Sequence, residues 1–407
     1  MLLTSFSHAI EASIQITGSK SESNRLLILQ QLYPNLEIKN LSNSDDTQLL
    51  EKALKSTEEV VNIGHAGTAM RFLTAYFAAS PGREVILTGS GRMKDRPIQI
   101  LAEALKSLGA DIEYVEKEGF PPLRIKGKEL TEASLEIDGN VSSQYISALL
   151  LIGGRLKNGL QLRFKGKVTS VPYIKMTLSL LSELGIENNW EGDTITVKPT
   201  STVPIKTVTV ESDWSSASYY FSYAALAKGS EITLSSYKRS SLQGDAVLVD
   251  IYKKLGIQTT FVKDQIHLKQ TAIDTDFILK LDLKSAPDIA QTIVVTCFGM
   301  GISCELTGLH TLKIKETDRL VALKIEIEKL GGTVHITDDS LRLEKSTTFI
   351  ENIAIDTYQD HRMAMAFAPM ATKVDIRINE ADVVSKSYPT FWEDYAKVST
   401  NTKNISI

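Results

Sequence analysis

A segment of helical periodicity, followed by Leu-Gly and a strand-like run, recurs four times, and this repeat limits the folds open to the chain. The four copies are RPIQILAEALKSLGADIEYV, VPYIKMTLSLLSELGIENNW, GDAVLVDIYKKLGIQTTFV and TDRLVALKIEIEKLGGTVHIT. Their glycines, Gly109, Gly185, Gly256 and Gly331, are 76, 71 and 75 residues apart. Apolar residues at helical spacing and a following glycine predict a helix with a left-handed C-terminal cap. We therefore predict a chain built from copies of one α/β unit.

The residues that follow and precede these copies add detail to the predicted α/β unit. Three copies continue into a turn and a second alternating run, EGDTITVKP, VKDQIHLKQ and DDSLRLEKS, which predicts the order helix, strand, turn, strand. The residues just before the helices are polar and often basic, and they include Arg96, Ser170, Tyr173, Lys315, Glu316 and Arg319. Helix N-termini carry free N–H groups and partial positive charge. Several such helices directed at one cleft would attract anions to it.

Length and composition limit the classes of protein to which the chain could belong. The 407 residues favour two or three domains, and 43% hydrophobic and 23% charged residues are ordinary for a globular protein. The net charge of −4 gives no general attraction to nucleic acid. Cys297 and Cys304 form neither a disulfide framework nor a metal-binding pattern. The N-terminus does not resemble a signal peptide, and the longest uncharged run, IAQTIVVTCFGMGISC, is too short for a membrane span. We expect a cytoplasmic protein that binds neither nucleic acid nor membrane.

Two apolar helices predicted near the N-terminus begin with residues that suit a binding site. GSKSESNRLLIL holds Lys20, Ser21 and Arg25 within six residues, a combination that suits a phosphate or a carboxylate. The alternative is a capped amphipathic helix with a solvated lysine. GHAGTAMRFL places Gly67 where the backbone could approach a ligand closely, or where helix packing requires a small residue.

Two further motifs complete the first half. In GSGRMKDRPI, Pro97 fits a first helical turn, which predicts that Arg96 lies at the entrance of that helix. NVSSQYISALLLIGG begins with Ser142, Ser143 and Gln144, which suit a phosphate but also ordinary helix capping.

The second half carries the acidic candidates. Asp288 heads the apolar segment SAPDIAQTIVV, and a carboxylate so close to a core must be paired or functional. KIKETDRL is either a solvated helix start or a group of charges directed at a ligand. DHRMAMAFA and VSKSYPTFWED contribute His361, Arg362 and Lys386. The six histidines form no metal-ligand pattern.

These motifs, in this order, resemble those of the enolpyruvyl transferases, in particular the members that act on shikimate 3-phosphate. The resemblance extends from GSKSESNR to VSKSYPTFW and is most specific in AGTAMR, KETDRL and DHRMAM. It implies an α/β fold of two similar domains, each made of three α/β units with inward helices (an inside-out α/β barrel), with the active site in the cleft between them. The first domain would span 18–210, and the second would combine 1–17 with 211–407. The chain would then cross between them near Ile16–Gly18 and near Glu211–Asp213.

The resemblance also implies a reaction and its binding residues. The enolpyruvyl group of phosphoenolpyruvate is transferred to the 5-hydroxyl of shikimate 3-phosphate through a tetrahedral intermediate, and phosphate is released. No cofactor or metal is implied, and the family is generally monomeric. The first domain would bind mainly shikimate 3-phosphate, through Ser21, Arg25, Ser142, Ser143, Gln144, Ser170 and Tyr173. Phosphoenolpyruvate would be bound by Lys20, Gly67, Arg96, Gln144, Arg319, Arg362 and Lys386, with Lys315 between the two substrates.

Proton transfer is assigned by the same resemblance. Asp288 would be the base on the 5-hydroxyl, and Glu316 would exchange a proton with the methylene carbon. Lys386, Lys20 and His361 would assist. In KIKETDRL, Asp318 would be structural, and Lys313 has no assigned role.

Several positions depart from the usual pattern of the family. They are His65, Phe72, Val171, Trp214, Thr311 and Lys313. We expect them at the rim of the substrate sites, where they would alter affinity. Gly67 and Thr68 keep the pattern associated with glyphosate sensitivity, so the sequence predicts inhibition by glyphosate.

Two rival functions remain open at this point. One is enolpyruvyl transfer to UDP-N-acetylglucosamine, but those enzymes have Asn after the first Lys and a loop cysteine in the first domain. Here Ser21 follows Lys20, and both cysteines lie in the second half. The other is a family member that has lost catalysis and only binds phosphorylated ligands. It would show ligand-induced stabilisation without turnover.

Overall fold

The computed structural model describes residues 1–169, 171–315 and 317–400. The chain divides into two compact units. The discontinuous unit comprises Met1–Thr17 and Glu211–Ile407, and the continuous unit comprises Gly18–Val210. In the described ranges, no helix combines the length and the apolar character needed to cross a membrane.

The α-helices of the described residues follow in chain order. They are α1 Lys20–Leu32, α2 Asp45–Lys55, α3 Gly67–Ala78, α4 Gly91–Lys94, α5 Gln99–Ser107, α6 Ser143–Gly153, α7 Val171–Glu183, α8 Trp214–Leu226, α9 Leu248–Lys254, α10 Ala290–Met300, α11 Arg319–Lys329, α12 His361–Phe367 and α13 Phe391–Ser399. Short 3-10 helices cover Gly244–Val247, Pro287–Ile289, His310–Ile314, Ala368–Thr372 and Ala381–Lys386.

The strands are short and lie in separate small sheets. They are β1 Leu2–Leu3, β2 Glu11–Ile14, β3 Leu36–Lys39, β4 Val60–Asn62, β5 Glu84–Thr88, β6 Asp111–Tyr114, β7 Leu123–Lys126, β8 Ser134–Asp138, β9 Leu160–Lys165, β10 Asn188–Glu191, β11 Thr194–Val197, β12 Lys206–Thr209, β13 Glu231–Ser235, β14 Ile257–Val262, β15 Gln265–Gln270, β16 Ile278–Asp282, β17 Ser303–Thr307, β18 Val334–Ile336, β19 Leu341–Leu343, β20 Ile353–Ile355 and β21 Ile376–Ile378.

Four of the sheets share one topology, which confirms the predicted repeat. Each has two neighbouring parallel strands and an antiparallel hairpin added at one edge. In three of the four sheets the parallel strands are joined through one α-helix (α3, α6 or α10), whereas the chain between β2 and β13 includes the whole continuous unit and α8. The orders are β4-β5-β7-β6 and β8-β9-β11-β10 in the continuous unit, and β2-β13-β15-β14 and β16-β17-β19-β18 in the discontinuous one. Parallel neighbours require a crossover, and a helix is its usual form. The remaining sheets are the pair β12-β3 and the three-stranded β1-β21-β20.

The predicted helix ends are confirmed as well. Gly109, Gly185, Gly256 and Gly331 have φ angles of 101°, 80°, 80° and 97°. These values lie in the left-handed region, where glycine carries no steric penalty from a side chain. Each glycine therefore ends its helix and directs the chain into the next strand.

The helices form the interior of each unit, and the sheets lie outside them. Every residue of α8 is buried, and α10 is buried from Ala290 to Gly299. In the strands, buried and exposed residues alternate along the chain, as in β9. One face of such a sheet covers the helices, and the other meets solvent. This is the inside-out α/β arrangement that the sequence analysis predicts.

Candidate functional sites in the two units

Arg25 is a buried cation held by uncharged groups. Its guanidinium, 3% exposed, donates through Nε to Thr177 Oγ1 at 2.8 Å and through Nη2 to Ser147 Oγ at 2.9 Å. It also donates to the carbonyl oxygens of Ser21 (2.7 Å) and Tyr173 (3.4 Å). Burial lowers the pKa of Arg25 to about 10. A cation enclosed by hydroxyls and carbonyls retains a strong attraction for an anion.

The turn before α3 is shaped around Arg96. A Cβ atom added at Gly67 would lie 2.5 Å from Arg96 Nη1, so the guanidinium rests directly on the glycine backbone. Arg71, 5% exposed, donates to the Gly67 carbonyl oxygen at 3.1 Å. Burial, and next the charge of Arg96, lowers the pKa of Arg71. Two arginines thus flank one glycine, and positive charge is concentrated at the start of α3.

The start of α6 adjoins the start of α3. Gln144 donates through Nε2 to Thr68 Oγ1 at 3.3 Å. Ser142 is the N-cap of α6, and its hydroxyl accepts a hydrogen bond from the Gln144 N–H at 3.3 Å. Helix capping is therefore a role of Ser142, while Ser143 and Gln144 occupy the first helical turn.

One local prediction for this region is wrong. The sequence analysis places Pro97 in a first helical turn and Arg96 at the helix entrance, but α5 begins at Gln99 with Ile98 as its cap. The Pro97 carbonyl oxygen accepts hydrogen bonds from Tyr145 Oη at 2.7 Å and from Arg71 Nη2 at 3.4 Å. These tertiary bonds hold Arg96 and Pro97 in the connection between α4 and α5.

Lys20 opens α1 beside an acidic partner. Its Nζ lies 3.6 Å from Asp46 Oδ2, and the Asp46 side chain is 8% exposed. The sequence analysis did not single out Asp46, because an acid in a first helical turn has an ordinary explanation in the helix dipole.

In the discontinuous unit, three cations converge on Asp288. Its Oδ1 lies 2.9 Å from Arg319 Nη1 and 3.3 Å from Lys315 Nζ, and its Oδ2 lies 3.3 Å from Arg362 Nη2. Arg362 Nη1 also donates to the Asp288 carbonyl oxygen at 3.1 Å. Burial alone would raise the pKa of Asp288, but the three cations outweigh it and hold the pKa well below its ordinary value. The carboxylate is therefore charged and is in contact with three cations.

Asp360 holds the arginines of this cluster in place. Arg319 Nε donates to Asp360 Oδ2 at 2.6 Å, and both side chains are almost fully buried. Asp360 is also the N-cap of α12, since its Oδ1 accepts the Arg362 N–H at 2.9 Å. Buried His361 lies beside it, with Nδ1 at 3.8 Å from Asp360 Oδ1. Asp318 caps α11 through the N–H groups of Leu320 and Val321, which confirms its predicted structural role.

Asp245 is a neighbour of this cluster that the sequence analysis missed. It lies in the 3-10 helix Gly244–Val247. Burial, and then the negative charge of Asp288, raises the pKa of Asp245 to about 7, and Asp213 adds to this. The positive charges of Arg362 and Lys315 oppose the shift. In the sequence, Asp245 is an acidic residue at the start of one of the repeated helices. Its favourable interaction with the helix dipole already explains such a residue, so nothing in the sequence singles it out.

The remaining predicted residues divide into two groups. Lys386 ends the 3-10 helix Ala381–Lys386, which packs against α12. Ser170 and Glu316 lie outside the described residues. The part of the chain that the structure describes contains no group of three or more His, Cys, Asp or Glu side chains able to hold a metal ion.

Two departures from the family pattern do not lie at a rim, contrary to the prediction. Trp214 is fully buried, packs edge-on against Tyr237 at 4.8 Å between ring centroids, and donates to Glu211 Oε1. Phe72 is 1% exposed, with the Arg25 guanidinium 5.4 Å above its ring. Both are large apolar rings that the core covers, and Phe72 supports a predicted binding residue from below. His65 is exposed, and Lys313 pairs with Asp338 at 2.6 Å.

Comparisons with known proteins found relatives that match nearly the whole chain. The family described as EPSP synthase (3-phosphoshikimate 1-carboxyvinyltransferase) matches residues 50–395. A 3-phosphoshikimate 1-carboxyvinyltransferase of Bacteroides fragilis is 48% identical over 97% of each chain. One from Vibrio cholerae is 34% identical, over 96% of this chain and 97% of the relative.

Solved structures agree on the fold. The EPSP synthase of Acinetobacter baumannii superposes with a TM-score of 0.80 at 21% identity, covering 98% of this chain and 97% of that one. The enolpyruvyl transferase NikO of Streptomyces tendae gives a TM-score of 0.71 at 13% identity, with the same coverage. On the match over 50–395 and the identity across nearly the whole length of curated relatives, the chain belongs to the EPSP synthase (3-phosphoshikimate 1-carboxyvinyltransferase) family.

Proposed function

We propose that the protein transfers the enolpyruvyl group of phosphoenolpyruvate to the 5-hydroxyl of shikimate 3-phosphate and releases phosphate, as a transferase of the shikimate pathway. The observation that carries this proposal is the convergence of Lys315, Arg319 and Arg362 on Asp288. Substrates with two phosphates and two carboxylates need fixed cations, and a base must lie among them. The names of the curated relatives favour this function over the two rivals.

Shikimate 3-phosphate is assigned to the continuous unit. Arg25 supports this assignment, because its guanidinium is buried among hydroxyls and carbonyls and can gain a charged partner. The other proposed contacts are Ser21, Ser142, Ser143, Gln144, Ser170 and Tyr173. Ser142 would use its N–H or its hydroxyl while it caps α6.

Phosphoenolpyruvate is assigned to the remaining cations. Arginine offers forked contacts that match phosphate and carboxylate groups. Gly67 leaves room for Arg96 against the backbone, which supports a close approach of a ligand there. The proposed contacts are Lys20, Gly67, Arg96, Gln144, Arg319, Arg362, His361 and Lys386, with Lys315 between the substrates.

Asp288 is proposed as the base that removes the proton of the 5-hydroxyl. Without substrates its pKa is low, so the carboxylate is charged but weakly basic. Substrate anions that engage Lys315, Arg319 and Arg362 would draw those cations from Asp288 and raise its pKa. The base would then strengthen when the substrates are in place.

The proton balance follows from these roles. The 5-oxygen bonds to the central carbon of the enol while Glu316 gives a proton to the methylene carbon, and a tetrahedral intermediate forms. The Glu316 carboxylate then takes a proton back from the new methyl group, which restores the double bond and expels phosphate, and the phosphate carries off the proton that Asp288 took from the 5-hydroxyl. Exchanging Glu316→Gln is expected to abolish turnover and leave shikimate 3-phosphate binding nearly intact. A variant with full turnover would refute this role.

Phosphate release from the purified protein tests the proposal. Each substrate is omitted in turn, and the assay is run with and without a chelator. Release that needs both substrates and is unaffected by chelator supports the transferase and its predicted independence from metal. Stabilisation by shikimate 3-phosphate without release would instead support a member that has lost catalysis.

Monomeric state and cytoplasmic location are further predictions. The resemblance to generally monomeric enzymes supports the first, and light scattering on the purified protein tests it. Fractionation of cells tests the second.

A further inference from the structure

Two consecutive residues in a rare backbone conformation lie directly before the arginine-holding Asp360. Tyr358 and Gln359 have φ angles of 54° and 57°. Side-chain-bearing residues seldom adopt the left-handed region, and two in succession persist only where their surroundings hold them. Something must therefore keep this two-residue turn in place.

The holding contact is made by the buried carboxylate of Glu326. The Tyr358 hydroxyl donates to Glu326 Oε1 at 2.6 Å, and Glu326 is fully buried in α11. Lys329 Nζ lies 2.9 Å from both carboxylate oxygens, which compensates the buried charge. The Asp356 N–H donates to Glu326 Oε2 at 3.2 Å. One carboxylate thus binds Asp356, two residues before the turn, and Tyr358, the first residue of the turn.

The same helix makes a second contact just beyond the turn. Arg319, the first residue of α11, donates to Asp360 through Nε at 2.6 Å and Nη2 at 3.4 Å. Glu326 lies seven residues later, so both side chains project from one face of α11. The turn is consequently bound to α11 at two points, one at Tyr358 and one at Asp360.

We propose that Tyr358 and Glu326 are positioning residues for Arg319 and Arg362, acting through the Tyr358–Gln359 turn and Asp360. Without the Tyr358 hydroxyl, the turn would relax toward negative φ and displace Asp360. Arg319 would lose its two hydrogen bonds to Asp360 and keep the one to Asp288, and the cap that orients Arg362 would loosen. The consequence is weaker binding of phosphoenolpyruvate; this part rests on the proposed function of the site.

Exchanging Tyr358→Phe tests the proposal by steady-state kinetics. The KM for phosphoenolpyruvate is expected to rise about tenfold or more, and the KM for shikimate 3-phosphate to change less than twofold. Tyr252→Phe is the control, because it removes a tyrosine hydroxyl hydrogen bond elsewhere in this unit, to Thr296 Oγ1 at 2.8 Å. It should affect stability without affecting the KM for phosphoenolpyruvate. An unchanged KM in Tyr358→Phe, or an equal rise for both substrates, overturns the proposal.

A second substitution separates positioning from general destabilisation. Glycine at position 359 adopts positive φ without the steric penalty that a side chain imposes. Adding Gln359→Gly to Tyr358→Phe should therefore restore most of the affinity for phosphoenolpyruvate. A double variant that is no better than Tyr358→Phe speaks against the role of the turn.

Hydrogen exchange gives a readout that does not depend on the proposed function. The Arg362 N–H is bonded to Asp360 Oδ1, and its exchange should accelerate in Tyr358→Phe but not in Tyr252→Phe. Unchanged exchange at Arg362 overturns the inference whatever the kinetics. If the unmodified protein releases no phosphate, the proposed function fails, and the exchange result still decides the inference.

Discussion

At the scale of single residues, Gly67 shows how an absent side chain shapes a site. Its missing Cβ leaves the space that Arg96 Nη1 fills. Small residues are used where charged groups and backbone must approach closely. The position of the Arg96 guanidinium therefore depends on a glycine that has no functional group of its own.

We predict that Gly67→Ala weakens phosphoenolpyruvate binding. The added methyl group would displace Arg96, and the KM for phosphoenolpyruvate should rise about tenfold, equivalent to about 1.4 kcal/mol. Gly91→Ala is the control, because a Cβ there meets nothing within 4 Å. Kinetics with each substrate varied in turn make the comparison. A normal KM in Gly67→Ala would show that Arg96 has no part in binding.

The raised pKa of Asp245 predicts that the free energy of unfolding depends on pH. Its folded pKa, raised to about 7, exceeds the unfolded value, so its stabilising contribution is full below about pH 4 and is lost as the pH rises through about 7. Asn does not titrate. Asp245→Asn should therefore gain stability relative to the unmodified protein between pH 5 and pH 8, by the order of 1–3 kcal/mol.

Thermal melts at several pH values check this prediction. Asp250→Asn, at an exposed position of α9, provides the control for the loss of a carboxylate from this unit. A difference for Asp245→Asn that is constant with pH would contradict the raised pKa.

At the scale of elements, three helices of the continuous unit meet at one guanidinium. Arg25 of α1 contacts Ser147 of α6 and Thr177 of α7, and the two hydroxyls are 2.9 Å apart. The chain positions differ by 122 and 152 residues, yet the three side chains form one network. Helix packing therefore decides the orientation of Arg25.

We predict that Thr177→Val destabilises the protein and loosens Arg25. Two buried groups would lose a partner, at a cost of about 1–3 kcal/mol. The affinity for shikimate 3-phosphate should fall about tenfold, while the KM for phosphoenolpyruvate stays nearly unchanged. Calorimetric titration with shikimate 3-phosphate measures the loss.

Thr74→Val is the matched control in the same unit. Thr74 is also fully buried, but its hydroxyl donates only to the Met70 carbonyl oxygen of its own helix. It should bind shikimate 3-phosphate normally. Equal losses in the two variants would mean that the Arg25 network has no special role.

At the scale of the molecule, the continuous unit has its own sheets, and its chain ends lie side by side. The Val210 N–H donates to the Lys39 carbonyl oxygen at 2.9 Å, and Asn40 Nδ2 donates to the Val210 carbonyl oxygen at 2.9 Å. A Cβ at Gly18 would lie 2.6 Å from Val210 Cγ1. Domains inserted into another domain typically have adjacent termini.

We therefore predict that a fragment of residues 18–210 folds alone and melts cooperatively. Shikimate 3-phosphate should raise its melting temperature, because the proposed contacts of that substrate lie in this unit. Phosphoenolpyruvate alone should raise it less. A fragment without a cooperative transition would contradict the independence of the unit.

Much of the fold could be predicted from the sequence because its signals are local. Helical periodicity, the following glycine and the alternating strand run lie within about twenty residues of one another, and local sterics enforce them. The sequence therefore determined the α/β repeats, their helix caps and the polar helix starts. Pro97 marks the limit of such reasoning, since bonds from Tyr145 and Arg71 override its local preference.

The site itself was decided by tertiary structure. Asp288, Arg319 and Arg362 were singled out as charged residues beside apolar helices, but their convergence joins positions up to 74 residues apart. The pKa of Asp245 and the support of Arg25 by Phe72 likewise depend on burial and on distant charges. Charge interactions depend on distance in space and on exclusion of water, neither of which is a property of the local sequence. The sequence by itself determined which chemical groups were available, and only the fold decided which of them act on one another.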